Sequence, residues 1–206
     1  MPICNPAPPT RRVATAIAAI PSEEFHRLPG AVALPRKLPI VRAASWFHVV
    51  NRGIDHSSLF PTPEARDGFV STLERIAYRF AVELHAYCVM ESHYHVLARA
   101  EESELRRAFD ELDTECSLRA DTARFRRMAF GRHMLQVTRY IHRNPVEAGV
   151  VQFPEDWCWS SYRAYVDSLC APPWLRSAAV LGWLGSIGVR QRYRRYVEDW
   201  RHPLDR

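Results

Sequence analysis

Leu84–Leu97 reads LHAYCVMESHYHVL, and its reading decides the fold. Leu84, Tyr87 and Val89 are apolar and β-prone, and so are Tyr94, Val96 and Leu97. Glu91-Ser92 interrupts them with a polar break, so the stretch predicts two strands joined by a tight turn. On a strand, residues i and i+2 share a face at ~3.3 Å rise per residue, which sets His93 and His95 side by side at ~6.6 Å. Imidazoles so spaced can converge on one divalent ion at ~2.0–2.1 Å each. Alone, such a pair is more often two surface histidines. A second stretch adds weight: Arg139-Tyr140-Ile141-His142-Arg143-Asn144-Pro145 carries a tyrosine and an asparagine four apart. On a helix these share a face, ~6 Å apart along the axis, and offer a nucleophile and an oxygen ligand. An asparagine at a helix end is otherwise commonly a cap.

Moving outward, Trp46–Val50 is a strand ended by the turn signal Asn51-Arg52-Gly53. Thr62 caps a helix with Pro63 at its first position, and Phe69, Leu73, Ile76, Ala77 and Phe80 give that helix an apolar face. Residues 101–118 form another helix with a charged exterior. Residues 123–134 are a basic run containing Arg124, Arg126, Arg127 and Arg132, a solvated face or a grip on DNA. A helix then runs from Met134 to about Asn144, where Pro145 should end it. Strand, helix, strand, strand, helix, helix points to an α+β, ferredoxin-like antiparallel sheet with helices on one face, its hairpin strands central and the histidines turned toward the helices. Two C-terminal helices, Trp174–Leu184 and Val189–Trp200, follow. In the second, Tyr193, Tyr196, Val197 and Trp200 form a packing stripe or, less commonly, a base-stacking one. Three segments result: a Pro-rich extension (1–44) with at most a short helix at Ala14–Ala19, a catalytic domain (45–170) and a C-terminal helical extension (171–206).

The 206 residues are 47% hydrophobic and 25% charged, ordinary for a globular protein. The net charge is +5, and Lys37 is the single lysine among 28 basic residues. Arginine suits planar, bidentate contact with phosphate, so nucleic acid is compatible as a partner. Five scattered cysteines with no CxxC indicate neither a zinc ribbon nor a disulfide framework. Cys88 should be a small core residue. Val13–Ile20 is too short to span a membrane and Ala19-Ile20-Pro21 is a poor cleavage site, so the expectation is a cytoplasmic protein with no membrane partner.

FHVVNRG (47–53), AYCVMESHYHVL (86–97), RYIHRNPVEAGVV (139–151) and WCWSSYRAY (157–165) together resemble the REP-associated tyrosine transposases, within the single-tyrosine HUH transposases of the IS200-like type. The likeness spans about residues 45–200 and implies the ferredoxin-like sheet. It also implies a divalent ion, Mg²⁺ or Mn²⁺, held by His93, His95 and Asn144, with Tyr140 as nucleophile. The implied substrate is single-stranded, hairpin-associated DNA, cleaved and rejoined through a 5′-phosphotyrosine. Relatives of this kind suggest a monomer, while other IS200-like enzymes pair the tyrosine and the histidines across a dimer. Arg52, His142, Arg143, Arg126 and Arg127 are candidate DNA contacts, with His142 at the surface or beside DNA; His48 could approach the same site but is more commonly a structural histidine.

The chain departs from the family where Glu91-Ser92 replaces the usual Pro-Asn, where Tyr94 replaces an aliphatic residue, and in a shorter link over residues 101–133, which bears on DNA recognition and activity. Tyr94 points away from the histidines and should pack. Two other readings stand beside the transposase: a domesticated REP-like hairpin-binding protein without cleavage, and a metal-dependent hydrolase of a small substrate.

Overall fold

The computed structural model describes residues 44–199. The expectations for residues 1–43 and Trp200 lie outside the described residues.

Four strands form one antiparallel sheet: β1 (Ser45–Arg52), β2 (Glu83–Val89), β3 (His93–Ala100) and β4 (Arg124–Met128). Helix α1 (Pro63–Arg79) lies between β1 and β2, and α2 (Glu102–Glu115) between β3 and β4. The sheet order β2-β3-β1-β4 makes this the ferredoxin-like βαββαβ arrangement. The Thr62 hydroxyl accepts from the Ala65 amide, and Pro63 opens α1 as its spacing requires. Phe69, Leu73, Ile76 and Ala77 are buried.

β4 falls within the stretch read from sequence as a basic run. Three of its five residues are exposed arginines, and only Phe125 and Met128 are drawn partly inward, so the apolar alternation of a strand is nearly absent. Pairing to β1 creates it: Trp46 opposes Met128 and His48 opposes Arg126. Within the hairpin, β3 is the internal strand and β2 the outer one, rather than both being central. The outer side of β2 is occupied by later chain: the Val89 amide donates to Trp159 O, Ser161 N to Tyr87 O, and Arg176 N to Leu84 O. The last of these bonds, with a bridge between Leu84 and Leu175, holds Leu175 and Arg176 alongside β2, so the helix expected from Trp174 shrinks to α5 (Ala178–Leu181) and a following 3-10 turn at Gly182–Leu184.

α1 and α2 cover one face of the sheet, around Tyr94, which packs against Phe69 and Phe109. α3 (Arg132–Glu147) contacts β2 and β3 from the histidine side, so helices occupy both faces and not one. The histidines face α3, away from α1 and α2. α3 also continues past Pro145 to Glu147. A proline removes one amide donor, and here the helix has a single turn left to run. Pro145 O instead accepts from Val150 N, while Ala148 N donates to Asn144 O.

The C-terminal chain adds α4 (Tyr162–Val166) and α6 (Val189–Glu198). Tyr193, Tyr196 and Val197 are fully buried, so their stripe packs, as the more common of the two readings had it. Cys88 is likewise a core residue. Among the described residues no helix is long and apolar enough to cross a membrane.

Candidate active site

β3 presents His93 and His95 on one face with ring centroids 5.1 Å apart. Both flanks of the turn are pinned: Met90 N donates to His93 O and Gly53 N to Ser92 O. Tyr94, between the histidines, points to the opposite face and donates to Asp113 Oδ1 at 3.1 Å, while Asn51 Nδ2 donates to Asp113 Oδ2 at 2.8 Å. The strand is thus clamped from behind and its imidazoles are placed by main-chain register.

α3 brings the other partners. Asn144 Oδ1 lies 3.0 Å from His93 Nε2. One turn earlier, the Tyr140 ring stands 5.2 Å from that of His95, edge-on, and is 44% exposed. Tyr140, Asn144, His93 and His95 are therefore assembled within one chain. His48 joins them: its Nε2 is 3.1 Å from His95 Nδ1, and its ring is 6.2 Å from that of Tyr140. It belongs to the site and not merely to the core. Its signal was present in the alternation of β1, where residues 46, 48 and 50 share a face.

Beside this cluster, β1, β4 and α3 enclose a groove of about 660 Å³. Arg52, Arg126 and Arg127 border it, as do Arg124, His133 and Gln136. His133, Gln136 and Tyr140 have helical spacing, but the helix expected from the sequence begins only at Met134, whereas α3 begins at Arg132. His142 and Arg143 do not border the groove. His142 is fully buried, its Nδ1 2.7 Å from the Tyr193 hydroxyl and its Nε2 2.7 Å from Ser161 Oγ. Two residues along a helix turn the side chain by ~200°, away from the Tyr140 face. Arg143 donates to Val197 O at 2.9 Å and to Glu147, tying α3 to α6. Neither is placed to contact DNA in the groove.

Burial lowers the affinity of all three site imidazoles for protons. For His48 burial acts first and the charges of Arg126 and His133 add to it, giving about 4. For His95 burial is followed by His48, His93 and Arg52, giving about 2. His93 is lowered by burial, with the Asn144 contact opposing. Near neutral pH all three are uncharged, and each has a nitrogen lone pair to offer.

No group of three or more His, Cys, Asp or Glu able to hold a metal is present among the described residues. The candidate set instead completes two imidazoles with a carboxamide, and its chemistry fits a divalent ion: His95 Nε2 is buried with no hydrogen-bond partner, a bare donor atom in a polar site. His93 Nε2 and Asn144 Oδ1, 3.0 Å apart, are hydrogen-bonded to each other.

Comparison with models of protein families and with curated proteins gives no match. Among solved structures, the chain is similar to a REP-associated tyrosine transposase bound to a REP hairpin, with a TM-score of 0.52 and 18% identity, over 69% of this chain and 90% of that one. The chain thus has the fold of that REP-associated tyrosine transposase.

Proposed function

We propose that this protein is a DNA transposase of the single-tyrosine type, a single-stranded DNA endonuclease and strand transferase acting beside DNA hairpins. The observation that carries this reading is the exposed Tyr140 phenol standing edge-on to His95 above a groove bordered by arginines. The partner in the similar solved structure, a REP hairpin, supports hairpin DNA as substrate.

The groove arginines position the phosphate backbone. The Tyr140 oxygen attacks the scissile phosphorus and loses its proton toward solvent. The P–O bond to the upstream sugar breaks, the 3′-oxygen leaves and takes a proton from solvent to become a 3′-hydroxyl, and the downstream strand remains as a 5′-phosphotyrosine. Because one phosphodiester is exchanged for another, attack by a different 3′-hydroxyl reseals DNA and returns the phenol. His93, His95 and Asn144 would hold Mg²⁺ or Mn²⁺, which when bound polarises the phosphate and offsets the charge developing on it. The buried, uncharged imidazoles are ready to bind without first losing a proton. Since phenol and imidazoles come from one chain, a monomer suffices; a dimer is not needed to complete the site.

Labelled hairpin oligonucleotide with unpaired flanks, incubated with the protein and Mn²⁺ and run on a denaturing gel, tests this. A covalent adduct, absent in Tyr140→Phe, is expected. Binding without an adduct indicates a hairpin-binding protein that has lost cleavage, and hydrolysis surviving Tyr140→Phe indicates a metal hydrolase.

A further inference from the structure

The groove has two unlike ends. One end is bordered by Arg52 and Arg124 together with Asp121 and Thr122. At the other end it is bordered by Met128, the last residue of β4, and past Met128 the β4–α3 connection leads to aromatic rings that do not border the groove and that no step of the chemistry uses. Cross-strand partners share a sheet face. Met128, opposite Trp46, therefore continues the line of Arg124 and Arg126, which oppose Val50 and His48. Phe130 follows in the connection. Its ring lies 5.6 Å from that of Trp46 and 5.4 Å from that of Trp183, T-shaped to the latter. Trp46 is buried, but Phe130 is 59% and Trp183 45% exposed among the described residues. Phe130 closes against Trp183 from a distant part of the chain, so two half-exposed rings are held together at the surface instead of being drawn into the core.

We propose that Phe130 and Trp183 form a stacking platform for an unpaired base of the DNA, beyond the Met128 end of the groove. This rests on the DNA reading above and adds where the strand leaves the reacting phosphate. Charge selects the occupant: Arg124, Arg126, Arg127 and Arg132 fall within the nine residues 124–132 that include Phe130, which suits a polyanion with aromatic faces and not an apolar peptide. Stacking accepts any base, so the platform holds the strand without reading its sequence. The arginines grip phosphate while the rings take the base lying between two phosphates.

The test uses full-length protein carrying Tyr140→Phe, without metal, so that nothing is cleaved. Two hairpin oligonucleotides are compared, one blunt and one with an unpaired flank containing 2-aminopurine. With the flanked hairpin, the platform is expected to quench 2-aminopurine at one flank position. Phe130→Ala with Trp183→Ala should abolish that quenching and weaken binding about tenfold. Binding of the blunt hairpin should be unchanged, which also shows that the double variant is folded. Phe130→Tyr with Trp183→Phe should retain both quenching and affinity. Unchanged affinity and quenching in the double alanine variant overturns the platform while leaving the DNA reading intact. A parent protein that binds neither hairpin overturns both. Loss of self-association in the double variant, with DNA binding unaltered, assigns the rings to an interface between copies and overturns the platform.

Discussion

His48 shows what single residues contribute to the site. A ligating imidazole needs its second ring nitrogen fixed by a hydrogen bond, which sets both tautomer and orientation. For His95 that partner is His48: if His95 Nε2 faces the ion, then His95 Nδ1–H donates and His48 Nε2 accepts. His48→Phe keeps the ring's bulk and removes the acceptor, and should weaken Mn²⁺ binding by about 10–100-fold, read by electron paramagnetic resonance. His48→Gln, which retains an acceptor, should recover part of the loss. Thermal melts of both variants near the parent's would place the effect on the ion and not on the fold. At this scale the sequence was legible for His93, His95, Tyr140 and Asn144, whose spacings alone bring each pair together. For His48 it was legible in part, from the alternation of β1; the removal of His142 was not, because it depends on which neighbour another element supplies.

At the scale of elements, α3 is the connecting piece. Its groove face carries His133, Gln136, Tyr140 and, at its end, Asn144; its other side is fastened to the C-terminal chain. Arg139 donates to Asp199 O at 2.5 Å, Arg143 to Val197 O, and His142 contacts both Tyr193 and Ser161. His142→Ala leaves two buried hydroxyls without that partner and opens a cavity, and should cost about 3 kcal/mol in chemical unfolding. A cost near zero would mean that α6 does not position α3. β4 makes the complementary contribution through charge. If Arg124 and Arg126 neutralise phosphates, replacing both with Ala should make the slope of log affinity against log salt shallower. The expected change is about 0.7 for each phosphate left without its arginine on single-stranded DNA. An unchanged slope removes β4 from the binding surface. β4 escaped sequence reading because its arginines hide the two-residue period. The end of α3 was misplaced because a proline tolerated in a last turn looks the same as one that ends a helix.

Across the whole molecule, the sheet joins two polar systems back to back. On one face lie the imidazoles; on the other, Asp113 receives the Tyr94 hydroxyl and the Asn51 amide. Burial pushes the Asp113 carboxyl up to about 6, against the pull of those two donors. An acid raised on folding binds its proton more tightly in the native state, so its contribution is greatest below about pH 4 and is lost as pH rises toward 6. The difference in unfolding free energy between the parent and Asp113→Asn should therefore change across pH 4–6, by at most about 1.4 kcal/mol per pH unit and in the parent's disfavour as pH rises. A flat difference would show that the carboxyl is not held this way. The run strand, helix, strand, strand, helix, which points to the ferredoxin-like sheet, was readable from period and turn signals, but the sheet's fourth strand was not. That α3 lies on the far side of the sheet from α1 and α2 was not, since an amphipathic stripe records that a helix packs and not on which face.

The central claim is that Tyr140 becomes bonded to DNA. After reaction with hairpin DNA and Mn²⁺, denaturation, and digestion with nuclease and trypsin, cleavage after Arg139 and Arg143 releases Tyr140-Ile141-His142-Arg143. Mass spectrometry should find this tetrapeptide carrying a nucleotide through a phosphate on its tyrosine. Finding it always unmodified while DNA is cut, or finding the nucleotide on another residue, would contradict the account.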